Sequence, residues 1–180
     1  MILHFTHSYP QTDHLPFFTF VGRIIGKSVY DGRLLEAYFT KAFYKHLLGV
    51  QVDLSDLESV DPENYRSLRW MLDNPIVGRL TYSFSRMADI GLQEGVLDLT
   101  FSVEADEWGV IKVIDLKPGG RDLAVTDENK REYVELLVKH RLTNSIKEQV
   151  QAFVSGFTSI VPAELVSIFN ASELQLLISG

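Results

Sequence analysis

FFTFVGRIIGKSVY, residues 17–30, is the most apolar early stretch of the chain, and it carries two charges, Arg23 and Lys27. Phe18, Val21, Ile24, Ile25 and Val29 recur at the spacing of one helix face. The run is too short to span a bilayer, which takes roughly 20 apolar residues. Gly22 and Gly26 stand one helical turn apart within it. In lipid such a pair would mark a helix-dimer face. In a globular chain it lets a second helix approach closely. Asp31-Gly32 then breaks the pattern.

Upstream, residues 1–15 read as irregular, with Pro10 and Pro16 around QTDHL. Downstream, a second helix is predicted over Leu34–Leu48. Leu34, Leu35, Tyr38, Phe39, Ala42, Phe43, Leu47 and Leu48 make its apolar face wide enough for burial on most sides. Gly49 ends it. Ser55 and Glu58 have the spacing of a capping box. Asp61-Pro62 starts a helix that carries Tyr65, Leu68, Met71 and Leu72 to about Asn74.

The middle of the chain alternates instead. LDLTFSVEA, residues 97–105, reads as a strand, with WGVIKVIDL, 108–116, as its hairpin partner. KPGG, 117–120, is a turn, and DLAV, 122–125, offers a further short strand. Helices then return. Thr126 or Asp127 caps one to about Arg141, with Tyr133, Val134, Leu137 and Val138 inward. Ile146, Val150, Phe153, Val154 and Phe157 form the cleanest amphipathic pattern in the chain. Pro162 opens a short helix with Leu165, Ile168 and Phe169. Asn170 and Glu173 cap the last, ELQLLISG, whose Leu174, Leu176, Leu177 and Ile178 are expected to pack inward.

Hydrophobic residues at 46% and charged residues at 23% suit one folded domain, or one with a small satellite, rather than a disordered chain. A net charge of −7 argues against a general nucleic-acid binder. The start, MILHFTHSYP, lacks the regions of a signal peptide. The expectation is a soluble protein of the cytoplasm or nucleus, with no membrane partner.

The chemistry is sparse. With no cysteine, the chain has no disulfide, no thiolate zinc site and no cysteine nucleophile. His4 and His7 lack the partners of a metal site, and all five histidines (4, 7, 14, 46 and 140) read as surface or capping residues. Gly119-Gly120 has no following Lys-Ser/Thr, so no phosphate loop is present. Neither cofactor nor metal is expected. Asp53, Asp56, Glu58, Asp61 and Glu63 read as a solvated face with helix caps, or as an acidic rim for a basic partner.

Five stretches are more specific: DHLPFFTFVGRIIGKSVYDGRLLEAYFTKAFYKHLLG (13–49), DLESVDPENYRSLRWMLDN (56–74), LDLTFSVEADEWG (97–109), DLKPGGRDLAVTDENKREYV (115–134) and IVPAELVSIFNASELQLLISG (160–180). In this order they resemble the HECT-type ubiquitin ligase domain over nearly the whole chain. The resemblance implies a mainly α fold with a small α+β subdomain, the architecture of the HECT N-lobe. A large helical subdomain would comprise about 1–60 and 143–180, and a smaller one with the β-hairpin about 61–142.

The resemblance also implies a role. Such ligases take ubiquitin from a charged ubiquitin-conjugating enzyme onto a C-lobe cysteine and pass it to a substrate lysine. Their N-lobe docks the conjugating enzyme. This chain looks like that lobe alone, with the substrate protein recognised by regions not present. By this likeness it forms no ubiquitin thioester by itself. The alternative is a truncated, non-catalytic module that competes with the full ligase.

By motif, the docking groove would draw Ser67, Leu68, Met71 and Leu72 from YRSLRWML, Leu97 and Leu99 from LDLTF, and Tyr133 and Leu137 from NKREYVELL. Core packing is the alternative for each, and is the favoured one for Leu72. One departure stands out: PIVGRLTYSFSRMADIGLQEG, 75–95, puts roughly twenty residues where the family usually has a few, long for a loop. Within it RLTYSFS alternates like a strand, and SRMADIGLQ fits one or two helical turns.

Overall fold

A computed structural model of the chain describes residues 14–76, 99–107 and 110–180. Its helices are α1 (His14–Tyr30), α2 (Lys41–Leu47), α3 (Leu54–Leu57) and α4 (Pro62–Asp73), then α5 (Lys130–Leu142), α6 (Lys147–Thr158), α7 (Ala163–Val166) and α8 (Ala171–Ser179). Between α4 and α5 lie the strands β1 (Ser102–Glu107) and β2 (Val110–Asp115), an antiparallel pair running in register from Ser102 opposite Asp115 to Glu107 opposite Val110.

The glycine pair does what its spacing predicts. Helix α1 packs along α6 at backbone distance. A Cβ on Gly22 would stand 2.1 Å from the Phe153 carbonyl oxygen. From the other side, one on Gly156 would stand 2.0 Å from that of Thr19. This pair anchors the first of two cores: Phe18 and Ile25 meet Phe43, Tyr44, Leu47, Phe153, Phe157, Leu174 and Ile178. The second core joins Leu57, Leu68, Phe101, Tyr133, Val134, Leu137, Val138 and Leu142. Helix α2 serves both, because Ala42 enters the second while its neighbour Phe43 enters the first.

The predicted helix over Leu34–Leu48 shrinks to Lys41–Leu47. The reason is tertiary. Leu35 N–H donates to Ile178 O at 2.8 Å, and the Ser179 hydroxyl donates to Ala37 O at 2.7 Å. These bonds hold the segment extended across the end of α8, and Leu34 and Tyr38 are left 63% and 61% exposed. The cap of α3 is Asp53, not Ser55. Its carboxylate accepts from Ser55 N–H at 2.8 Å, and Asp56 returns the bond by accepting from Asp53 N–H at 2.8 Å.

Asp61 caps α4 as read, accepting from Asn64 N–H at 3.1 Å with Pro62 at the first helical position. Helix α5 starts later than expected. Residues 126–129 form a turn closed by Asn129 Oδ1 accepting from Thr126 N–H at 2.7 Å, and Asp127 is occupied by Ile76 N–H at 2.8 Å. The sheet is also shorter than the alternation suggests. Phe101 N–H donates to Leu123 O and Phe101 O accepts from Leu116 N–H, so DLAV meets the strand only as a bridge between Thr100 and Ala124.

Asn170 and Glu173 form the expected reciprocal cap of α8. Leu174 and Ile178 are fully buried there, but Leu176 points to solvent. In α7 only Val166 is buried; Leu165 in it and Ile168 just beyond it are exposed. The readings made for RLTYSFS, for SRMADIGLQ and for Leu97 lie outside the described residues.

Candidate functional site

The residues expected to form a groove come from two helices and one strand approach, and α4 and α5 supply most of them. The two helices run antiparallel and are pinned at both ends. At one end, Arg141 near the end of α5 donates to Asp61, the cap of α4, at 3.1 Å. At the other, Lys130 at the start of α5 donates to Asn74 O at 2.6 Å and to Asp127 at 2.9 Å. Between these ties Leu68, Tyr133 and Leu137 interdigitate in the second core.

Leu68, Tyr133 and Leu137 are buried, Tyr133 to 5% exposure. Burial raises the Tyr133 phenol above its ordinary pKa, against the opposing positive charge of Arg141, so the ring stays neutral. Its ring meets the fully buried Phe101 edge to face at 5.5 Å. Met71 and Leu72 are half-buried and pack against the same core. Ser67 faces solvent, its hydroxyl donating back to Glu63 O at 3.0 Å. Leu99 is half-buried and lines an open depression of about 460 Å³ with Thr100, Ser102, Glu104, Val113, Arg121 and Asp122.

The structure therefore gathers Leu68, Met71, Leu72, Tyr133 and Leu137 around one core and leaves Ser67 outside it. Leu68 and Tyr133, which the family likeness would place in the groove, lie buried in that core. Two features went unread. Trp70 is 40% exposed on α4, one turn after Ser67. Its indole was overlooked because the apolar pattern of α4 runs through other positions. Lys117 lies 4.0 Å over the Phe101 ring, a contact between residues far apart in the chain that no local spacing announces.

The acidic cluster also needs correcting. Asp56 is buried, not solvated: its side chain is inaccessible and accepts from Lys45 Nζ at 2.5 Å. Lys45 also reaches Asp53 at 2.7 Å. That bond, with the bonds from Ser55, holds the Asp53 carboxyl down at about 2. Burial works against the Lys45 ammonium, but the two carboxylates outweigh it and raise its pKa. His46, next along α2, is half-buried and takes the capping role rather than the surface one: Nε2–H donates to Leu142 O, the last residue of α5, at 2.8 Å, and burial lowers its pKa. Helix α2 is thus tied both to α3 and to the end of α5.

Among the described residues, no three histidine or carboxylate groups converge on a metal-sized site. No described helix is long and apolar enough to cross a membrane.

A family model for the HECT-domain (ubiquitin-transferase) matches residues 1–180. The chain belongs to the HECT-domain family. Among its relatives, the E3 ubiquitin-protein ligase TOM1-like of Neurospora crassa is 51% identical over 168 residues, 93% of this chain and 4% of that protein. E3 ubiquitin-protein ligase UPL1 of Arabidopsis thaliana is 48% identical over 97% of this chain and 4% of its own length. E3 ubiquitin-protein ligase RSP5 of Chaetomium thermophilum is 45% identical over 97% of this chain and 19% of its own. The chain thus spans a small part of these relatives' own length. Its described helices and antiparallel strand pair agree with the mainly α, partly α+β fold expected of the HECT N-lobe.

Proposed function

We propose that this chain docks a ubiquitin-conjugating enzyme within a HECT ubiquitin ligase, and that the α4–α5 pair with its hairpin, in a small subdomain of about residues 61–142, forms the dock. The observation that carries the reading is the pinned helix pair. It holds Ser67 and Trp70 exposed and Met71 and Leu72 half-buried over a fully packed floor of Leu68, Tyr133 and Leu137. A rigid floor under a half-buried thioether, with an exposed aromatic on the same helix, suits capture of an apolar loop residue, because anchoring groups on preorganised supports supply most interface energy. In such a ligase, a thiolate attacks the thioester carbonyl of the charged enzyme, whose own thiol leaves, and ubiquitin then passes to a substrate lysine. These 180 residues hold no cysteine. Their part is to hold the charged enzyme in place.

The same absence of a thiol favours a second reading for the polypeptide in isolation: it binds conjugating enzymes without accepting ubiquitin and competes with an intact ligase. Both readings use one surface. Titration of a panel of conjugating enzymes against the chain tests that surface, with Trp70→Ala and Met71→Ala as variants. The expected result is saturable binding by at least one enzyme, weakened by about 1–3 kcal/mol in the variants. Unchanged binding in folded variants would remove the dock from α4.

A further inference from the structure

Lys117 follows β2 and opens the KPGG turn, and on its sequence alone it is one more surface lysine. The structure gives it two simultaneous contacts. Its Nζ lies 4.0 Å over the centroid of the Phe101 ring. The same ammonium donates to both carboxylate oxygens of Glu132, at 2.9 and 2.8 Å. Its side chain keeps only 25% of its accessibility. Glu132 precedes Tyr133 in the first turn of α5, and Tyr133 is the residue on which Phe101 rests edge to face. The cation, the ring and the carboxylate therefore close a loop: turn to strand approach, strand approach to helix, helix back to turn.

Phe101 has little freedom to answer in any other way. Its N–H is bound by Leu123 O and its carbonyl by Leu116 N–H. Gly120 lies so close that a Cβ there would stand 2.1 Å from the Phe101 oxygen. Leu99 lies two residues upstream, its carbonyl accepting from Val125 N–H at 2.7 Å. Anything that moves Phe101 thus moves Leu99 relative to Tyr133 and the first turn of α5.

We infer that Lys117 is a positioning residue for the docking surface, setting the placement of the hairpin against the first turn of α5 through Phe101 and Glu132. This rests on the docking role proposed above. An exposed ion pair alone contributes little. A cation held over a fully buried ring is a stronger and more directional contact, and arginine can reproduce it.

The experiment compares the full chain with Lys117→Met, Lys117→Arg and Glu132→Gln, using Trp70→Ala as the reference for docking. Aromatic NMR resonances of Phe101 and Tyr133 are recorded at a temperature where circular dichroism shows every variant folded. The dissociation constant is measured for one ubiquitin-conjugating enzyme that binds the unaltered chain. Lys117→Met is expected to shift both ring signals and weaken docking about threefold to tenfold. Glu132→Gln is expected to act in the same direction by less, and Lys117→Arg to restore both readouts. If Lys117→Met proves unstable, Glu132→Gln carries the test. Unmoved ring signals, unchanged docking beside a weakened Trp70→Ala, or failure of arginine to rescue each overturns the role of Lys117. Unchanged docking in Trp70→Ala as well overturns the docking face itself.

Discussion

Replacing Gly22 by alanine adds one methyl group where α1 meets the backbone of α6. In an isolated helix the change would help by about 1 kcal/mol, because glycine is a poor helix former. Here the new Cβ would stand 2.1 Å from Phe153 O and 2.9 Å from Phe157 N. Ordinary contact distances require about 1 Å more. Both close atoms are backbone, so no side chain can swing aside and the helices must separate. Separation loosens Phe18 and Ile25 against Phe153 and Phe157, all buried in the first core. Overpacking costs typically about 1–3 kcal/mol and sometimes more. With backbone on both sides, the upper end applies, giving a net loss of about 2 kcal/mol after the helix-propensity gain. For a chain of this size that lowers Tm by about 4–8 °C. Gly26→Ala is the internal comparison: its Cβ would meet Phe157 O at 3.0 Å and the Ile160 side chain at 3.3 Å, so its loss is smaller. Urea and thermal unfolding of the three chains measure the series. A Gly22→Ala chain as stable as its parent would refute the backbone-to-backbone packing of α1 on α6.

Other consequences follow from single sites. Lys45→Met leaves Asp56 buried without its cation, and should cost about 3–5 kcal/mol in urea unfolding; a loss under 1 kcal/mol would contradict the burial of that pair. Asp53, held at about 2, is a depressed carboxylate. Its stabilising contribution is full above its unfolded pKa near 3.8 and is lost as pH falls toward 2, so acid titration of stability should flatten in this window in Lys45→Met. His46, with its pKa lowered by burial, works in the same direction at milder acidity: stability declines as pH falls below 6.5, since only the unfolded chain takes up that proton readily. Leu174→Ala should cost about 2–5 kcal/mol, whereas Leu176→Ala, on the solvent side of α8, should stay within about 0.5 kcal/mol; equal losses would contradict the placement of α8. Incubated with a charged conjugating enzyme, the isolated chain should yield no reducible ubiquitin adduct, since it has no cysteine. A thiol-sensitive adduct on the chain would overturn that expectation.

What the sequence discloses about this fold is what is decided locally. Asp61-Pro62 and Asn170 with Glu173 cap their helices through bonds three residues long. The Gly22 and Gly26 spacing announces a close helical neighbour because glycine on one helix face lets a second backbone approach. The failures are tertiary. Leu34 to Thr40 carry a helical pattern, yet Ile178 O and Ser179, from the other end of the chain, claim the segment's backbone groups. Asp56 looks solvated until Lys45 arrives from α2.

The candidate site divides along the same line. Its residues are recognisable by motif, but no motif says which of several apolar side chains ends as floor and which as surface. Leu68 and Tyr133 became floor because α4 and α5 are pinned at both ends by Arg141 and Lys130, contacts that local spacing does not encode. Trp70 became surface because it stands two residues from Leu68 on α4, about 200° round the helix, on the side turned away from the core. Lys117 was indistinguishable from any exposed lysine until its ring partner was placed beneath it.

The docking role itself is tested most directly by titrating an unlabelled ubiquitin-conjugating enzyme into the isotopically labelled chain and following each backbone amide by NMR. Saturable shifts concentrated on α4, around Ser67, Trp70 and Met71, and on the first turn of α5 are the predicted result. Shifts confined to α1, α6 and α8, or none with any enzyme of the panel, would contradict it.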